Sequence, residues 1–266
     1  MPNIISERVI PVDQDIYAKV DADSLGRGKG PVGTLMVTDD GRRFRYARTE
    51  NTIGLGQLCI AVVNIDAIAA TYFGATTALA PVAGEGGSIG DRILRVCATG
   101  VTANEHQGGW LMITDGTGIS QLFKVKKNGV SATGGFLIHI YGELSALLDA
   151  TSVGLLMSNP FHNVDHTAHA NFGGNQNQYI VGRAMAACAG TSSAPDYVWL
   201  QTRGISMLVS GVAPNTHGGI LTVAEDVDGV VQLSDTGDRD PGYQPVAIAL
   251  QDGADTVGQP CYLILE

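Results

Sequence analysis

Nowhere in this chain do apolar residues recur at helical spacing over three turns, so no long amphipathic helix can build its core. Short apolar or alternating runs stand instead between turn signals, roughly one every ten residues. Glycine supplies many of those turns: it makes up 35 of 266 residues, with no collagen period. Hydrophobic residues are 44% of the chain and charged residues only 16%, the reverse of a disordered composition. These features predict an all-β fold of short antiparallel strands in a β-sandwich or barrel-like arrangement, with an extended N-terminal arm.

The strands can be placed by pattern. Asp40-Gly41 precedes a run in which Phe44 and Tyr46 share one face and Arg45 points to the other. Further strands are expected over residues 92–99, 110–113, 122–125, 136–141 and 153–157. Asp115-Gly116-Thr117-Gly118, between two apolar runs, signals a hairpin, because these residues accept positive φ cheaply. A second series covers 180–187, 197–201, 205–209, 230–233, 246–250 and 262–265, with Asp252-Gly253 as a turn. Residues 143–150 alone offer a helical turn or two, with Leu144, Leu147 and Leu148 on one side. The expected organisation is an arm over 1–35, a first β domain over 36–160, a connector loop over 161–178 and a second β domain over 179–266. Gly26-Arg27-Gly28-Lys29-Gly30 cannot hold a regular element, so the arm either orders against a neighbour or frays.

Charge excludes some functions. The net charge is −10 and the pI about 4.9, a field that repels a phosphate backbone, so no nucleic-acid partner is expected. The densest basic groups, Arg42, Arg43, Arg45 and Arg48, then Lys124, Lys126 and Lys127, read as solvated faces. The opening residues lack the apolar stretch of a secretion signal. The longest apolar stretch, 59–73, is broken by Asn64 and Asp66, so no membrane span is expected. Cys59, Cys97, Cys188 and Cys261 are far apart and form no C-x-x-C pair, which removes zinc-ribbon and thioredoxin readings. Each lies in an apolar stretch, which suits buried free thiols made in a reducing cytoplasm, and the even count leaves two disulfides open.

Several motifs look chemical. Gly86-Gly87-Ser88-Ile89-Gly90 matches the G-x-S-x-G nucleophile elbow, but that device needs a strand before the serine and a helix after it. Here loop precedes and strand follows. Gly26-Arg27-Gly28-Lys29-Gly30 lacks the spacing of a phosphate loop and the hydroxyl after its lysine. His162, Asp165, His166 and His169 bring three imidazoles and a carboxylate into eight residues, yet the gaps fit no compact metal site, and the segment reads as a polar connector or subunit-contact loop. The acidic runs 225–229 and 235–240 do not fit the twelve-residue calcium loop and read as surface turns. His139, alternating within an apolar strand, belongs on a polar sheet face. Trp110 and Trp199 read as core or interface anchors, with sugar stacking the alternative. No catalytic, cofactor-binding or metal-binding residue is assigned, and the chain reads as a non-enzyme.

A resemblance gives these features a context. Asp40-Gly41-Arg42-Arg43-Phe44-Arg45-Tyr46-Ala47 resembles the DGR-x-F-RYA opening of virion structural proteins of tailed phages. Gly109-Trp110-Leu111-Met112-Ile113-Thr114-Asp115-Gly116 is similar to that family's strand leading into a DG turn, and Ser158-Asn159-Pro160-Phe161 to its NPY connector. Tyr197-Val198-Trp199-Leu200-Gln201-Thr202-Arg203-Gly204 resembles Y-x-W-L-Q-T-x-G, the most specific of these landmarks. Pro245-Val246-Ala247-Ile248-Ala249-Leu250 resembles the P-V-G-x-A-L segment before the last strand. The landmarks run in family order from about residue 40 to the end. The resemblance implies a head decoration (cement) protein on the capsid exterior, often a homotrimer, fastening major capsid protein subunits; it brings no catalytic residues. The alternative is a tail or baseplate β-module that binds a receptor or glycan.

Overall fold

Buried and outward side chains alternate along most strands of the computed structural model, as pleated backbone with one covered face requires. The structure describes residues 20–21, 31–68, 87–96, 98–132, 135–149, 151–166, 179–209, 218–223, 231–233, 244–252 and 258–266. In chain order the strands are β1 (Val20–Asp21), β2 (Leu35–Val37), β3 (Arg43–Thr49), β4 (Thr52–Ile53), β5 (Leu58–Ala61), β6 (Ile65–Ile68), β7 (Ile93–Val96), β8 (Trp110–Asp115), β9 (Leu122–Asn128), β10 (Phe136–Ile140), β11 (Val153–Met157), β12 (Val164–His166), β13 (Ile180–Ala184), β14 (Cys188–Ala189), β15 (Asp196–Val209), β16 (Ile220–Val223), β17 (Val231–Leu233), β18 (Ala247–Ala249) and β19 (Gly258–Ile264). Every ladder is antiparallel, the sheets curl into half-barrels, and no helix occurs among the described residues. The protein is all-β, as its periodicity predicts.

The chain forms two compact units. One is Val63–Asn159. Its six-stranded sheet has the order β6-β11-β8-β9-β10-β7, closed over a core that includes Leu94, Leu111, Phe123, Ile138 and Leu156. The Asp115-Gly116 turn joins β8 to β9 as expected. Gly116 sits at φ +73°, and a Cβ there would collide with the Thr151 carbonyl oxygen, so only glycine fits. Residues 143–149 make no helical turn: Leu144 and Leu148 drop into the core while Leu147 faces solvent.

The other unit is built from the segments before and after that one. Its large sheet has the order β12-β5-β13-β15-β19-β18-β16-β17, with β1, β2 and β3 attached through β15 and β3. The 14-residue β15 merges two strands expected separately, 197–201 and 205–209. Gly204, at φ +97° and tight against Arg42, carries the chain through the join. One stretch of β15 pairs with β3, aligning Trp199 with Tyr46 and Gln201 with Phe44; its later residues pair with β19.

The domain boundaries differ from those expected. Strands β3 and β5, within residues 36–61 and expected in the first domain, hydrogen-bond to strands of the C-terminal half. Within the expected 161–178 connector, β12 pairs with β5, Ala61 opposite Val164. The Val63–Asn159 unit is therefore inserted between two paired strands. Strand partners distant in sequence leave no local signal, so a linear reading divides such a chain at the wrong turn. Of the expected arm, Val20 and Asp21 pair with Tyr197 and Asp196, and Leu35 opens β2; the remainder up to residue 30 lies outside the described residues.

The β3–β15 ladder buries an aromatic cluster. Tyr46 stacks on Tyr197 with ring centroids 5.6 Å apart and tilts against Trp199 at 5.1 Å. Trp199 is fully buried, whereas Trp110 in the inserted unit is half-buried under Lys124, whose ammonium lies 5.7 Å from the ring centroid. Trp199→Ala is expected to lower unfolding free energy by about 3–5 kcal/mol and Trp110→Ala by under about 1.5 kcal/mol. Urea titration followed by circular dichroism checks the ranking.

Candidate functional site

Among the described residues, the candidates read from the sequence lie apart from one another. Ser88 is exposed in a turn whose N–H donates to the Asp91 carboxylate at 2.9 Å, and the chain continues into β7 rather than a helix. The backbone that the nucleophile elbow requires is missing after Ser88, and Gly86 lies outside the described residues. Residues 26–30, 225–229 and 235–240 are also outside them.

The histidine-rich segment resolves into local contacts. His166 uses its own neighbour, with its N–H and Nδ1 2.7 and 2.9 Å from Asp165 Oδ1. The His162 carbonyl accepts a hydrogen bond from Arg48. His169 lies outside the described residues. His139 is half-buried on β10; burial, then Lys127 and Lys126, hold its pKa below the usual 6.5.

A different cluster was invisible to local reading. Asp66 on β6 meets Glu105 and His106 from the loop before β8, with ligand-capable atoms within 4.8 Å of one another. Forty residues separate Asp66 from His106, so no spacing rule could join them. Asn128 shapes the loop: its Oδ1 accepts the His106 N–H at 2.9 Å, and its Nδ2 donates to the Thr102 carbonyl at 2.8 Å. Glu105 accepts from the Thr102 N–H and hydroxyl and, at 2.6 Å, from the Asn64 amide. Burial works to raise the Glu105 pKa, but these donors outweigh it and hold the carboxyl below its ordinary range.

Three such donors could hold a divalent cation. The hydrogen bonding favours another role. His106 is fully buried, and its Nε2 lies 2.9 Å from Asp66 Oδ2. Its Nδ1 is also buried, without a partner among the described residues. Coordination through Nε2 would end the Asp66 contact and put a proton on Nδ1 with no acceptor, whereas metal-bound histidines normally have one there. The cluster is best satisfied as a clasp, with the imidazole bonded through Nε2 to Asp66 and tying the loop to β6.

Of the basic group Arg42, Arg43, Arg45 and Arg48, all but Arg43 are neutralised in pairs among the described residues: Arg42 with Asp40 at 2.7 Å, Arg45 with Glu266 at 2.6 Å and Arg48 with Glu50 at 2.6 Å. Cys59, Cys188 and Cys261 are buried and none is in a disulfide; burial pushes the Cys261 pKa up to about 12 and that of Cys59 higher still, so neither of these two is a nucleophile near neutrality. Cys97 lies outside the described residues.

The feature suited to binding is a surface. Across four neighbouring strands, Ile205 on β15 faces Tyr262 on β19, Tyr262 faces Ile248 on β18, and Ile248 faces Ile220 on β16. Ile205 is 66% exposed and Ile220 50%. Met207 and Ile264 extend the row along β15 and β19. Their strand neighbours Leu208, Leu221, Ala247, Cys261 and Leu263 fill the core on the opposite face. Local reading expects polar residues at such outward positions, so the surface emerges only once four distant strands are placed side by side.

No protein-family model matches the chain, and no curated protein or solved structure does. Among the described residues, no helix is long and apolar enough to cross a membrane.

The clasp predicts a metal-independent effect. His106→Ala is expected to lower stability by about 1.5–3 kcal/mol, while EDTA, Zn²⁺ or Ca²⁺ leaves the melting temperature within about 1 °C. Differential scanning fluorimetry checks both; a rise of several degrees with one cation, lost in the variant, would make the cluster a metal site.

Proposed function

We propose that the chain is a structural, non-catalytic protein of a tailed-phage virion, a head decoration protein that binds the outer surface of the major capsid protein shell as a homotrimer. One observation carries this reading. Two of the landmark segments, 40–47 and the most specific one, 197–204, are about 150 residues apart, yet they are hydrogen-bonded partners whose aromatic side chains share one core. These two landmarks thus belong to one structural unit.

Other features support it. The candidate nucleophile Ser88 stands in an exposed turn, which favours work by contact over catalysis. A net charge of −10 suits the exterior of a particle better than a face turned toward packaged DNA. Weak contacts multiplied by particle symmetry can supply strong attachment without a deep cleft.

The test is addition of purified protein to capsids that lack it. Saturable binding and higher survival of heated or chaotrope-treated heads are expected. Absence of shell binding with unchanged resistance overturns the assignment. Immunogold labelling of virions should mark the head; labelling of the tail tip would establish the receptor-binding alternative.

A further inference from the structure

We propose that the outward apolar face of β15, β19, β18 and β16 is a self-association surface, and that its occupant is a neighbouring copy of this chain. This deepens the reading of the chain as a symmetric structural protein and rests on it for the number of copies.

The face is a contiguous exposed apolar row. Three strand spacings by the rise of the three to seven residues each strand contributes give a footprint roughly 14 Å wide and about 10–20 Å long, on the order of 200–300 Å². That is the scale at which the largest apolar patch of a monomer becomes functional. It is also the scale of an interface core rather than of a whole interface, which takes about 800 Å² per partner. A rim must therefore contribute, and association should depend on concentration.

Charge selects the occupant. Ile205, Met207, Tyr262, Ile264, Ile248 and Ile220 carry none. Two chains of charge −10 repel over most of their surface, and an uncharged face is where copies can meet at least cost. Around a three-fold axis three copies of this apolar face converge, each covering part of the others. At the edge of the face, Arg203 on β15 is the register partner of Arg43 on β3. Among the described residues neither makes an ion pair, and like charges directly opposite are unfavourable. A carboxylate from outside would relieve them, and a copy with 26 acidic against 16 basic residues has carboxylates in excess.

The test is sedimentation of the full chain over roughly 1–100 µM, where associations of moderate strength are resolved. The wild type should show a mass at least twice the 27.7 kDa of one chain at the upper concentrations. Ile205→Lys and Ile220→Lys, each at an outward position that can take charge without refolding, should weaken association at least about tenfold and run as monomers with unchanged far-ultraviolet circular dichroism. Leu122→Lys, an exposed site on the inserted unit, should associate like the wild type. A wild type that stays monomeric, or variants at both positions that associate unchanged, overturns the proposal. Assembly through this face without shell binding would sink the capsid reading and leave the surface standing; a monomer that binds shells would do the opposite.

Discussion

The larger unit depends on one strand, because β15 is where its separate segments meet. Along its 14 residues it pairs with β1, β3, β13 and β19, four elements drawn from both ends of the chain. Around Leu200 and Gln201 it has β3 on one edge and β13 on the other, so both edges are hydrogen-bonded. The aromatic rings of Tyr46, Tyr197 and Trp199 fill the space under this ladder, and burying such rings is among the largest single contributions a core can make. Gly204 then lets the same strand turn from β3 toward β19 and carry the outward apolar row.

This arrangement accounts for the inserted unit. β5 and β12 are a ladder in the large sheet, and the Val62 N–H donates to the Asn163 carbonyl just beyond it. Within the inserted unit the two ends are held together in turn: the Asn64 N–H donates to the Ser158 hydroxyl and the Ser158 N–H to the Asn64 carbonyl, both at 2.9 Å. A segment whose ends lie close together can be placed between paired strands without disturbing their register. The Ser158-Asn159-Pro160-Phe161 landmark falls where the chain passes from one unit to the other.

Local chemistry was legible in the sequence, and long-range pairing was not. The faces of Phe44, Tyr46 and Arg45, the Asp115-Gly116 turn and the burial of Trp199 all follow from period and turn chemistry. β5 and β12 were missed because an apolar run and a histidine-rich loop carry no alternation, and each becomes a strand by virtue of the other. The Asp66–His106 clasp and the four-strand apolar row are products of register between segments distant in the chain. Residues 143–149 show the converse: leucines at helical spacing reach the core from an irregular segment that is anchored by backbone bonds to Asp91 and Gly87.

The proposed contact function fits this frame, since a sheet continuous with a rigid ladder presents its outward side chains at fixed spacing. The central claim is that the β3–β15 ladder is the last part of the larger unit to open. Native-state hydrogen exchange on the full chain, followed across low denaturant, tests it directly. The account predicts that amides of residues 44–47 and 198–201 exchange only through global unfolding, with its denaturant dependence. Exchange of those amides through a local opening while the β18–β19 ladder stays protected would contradict it.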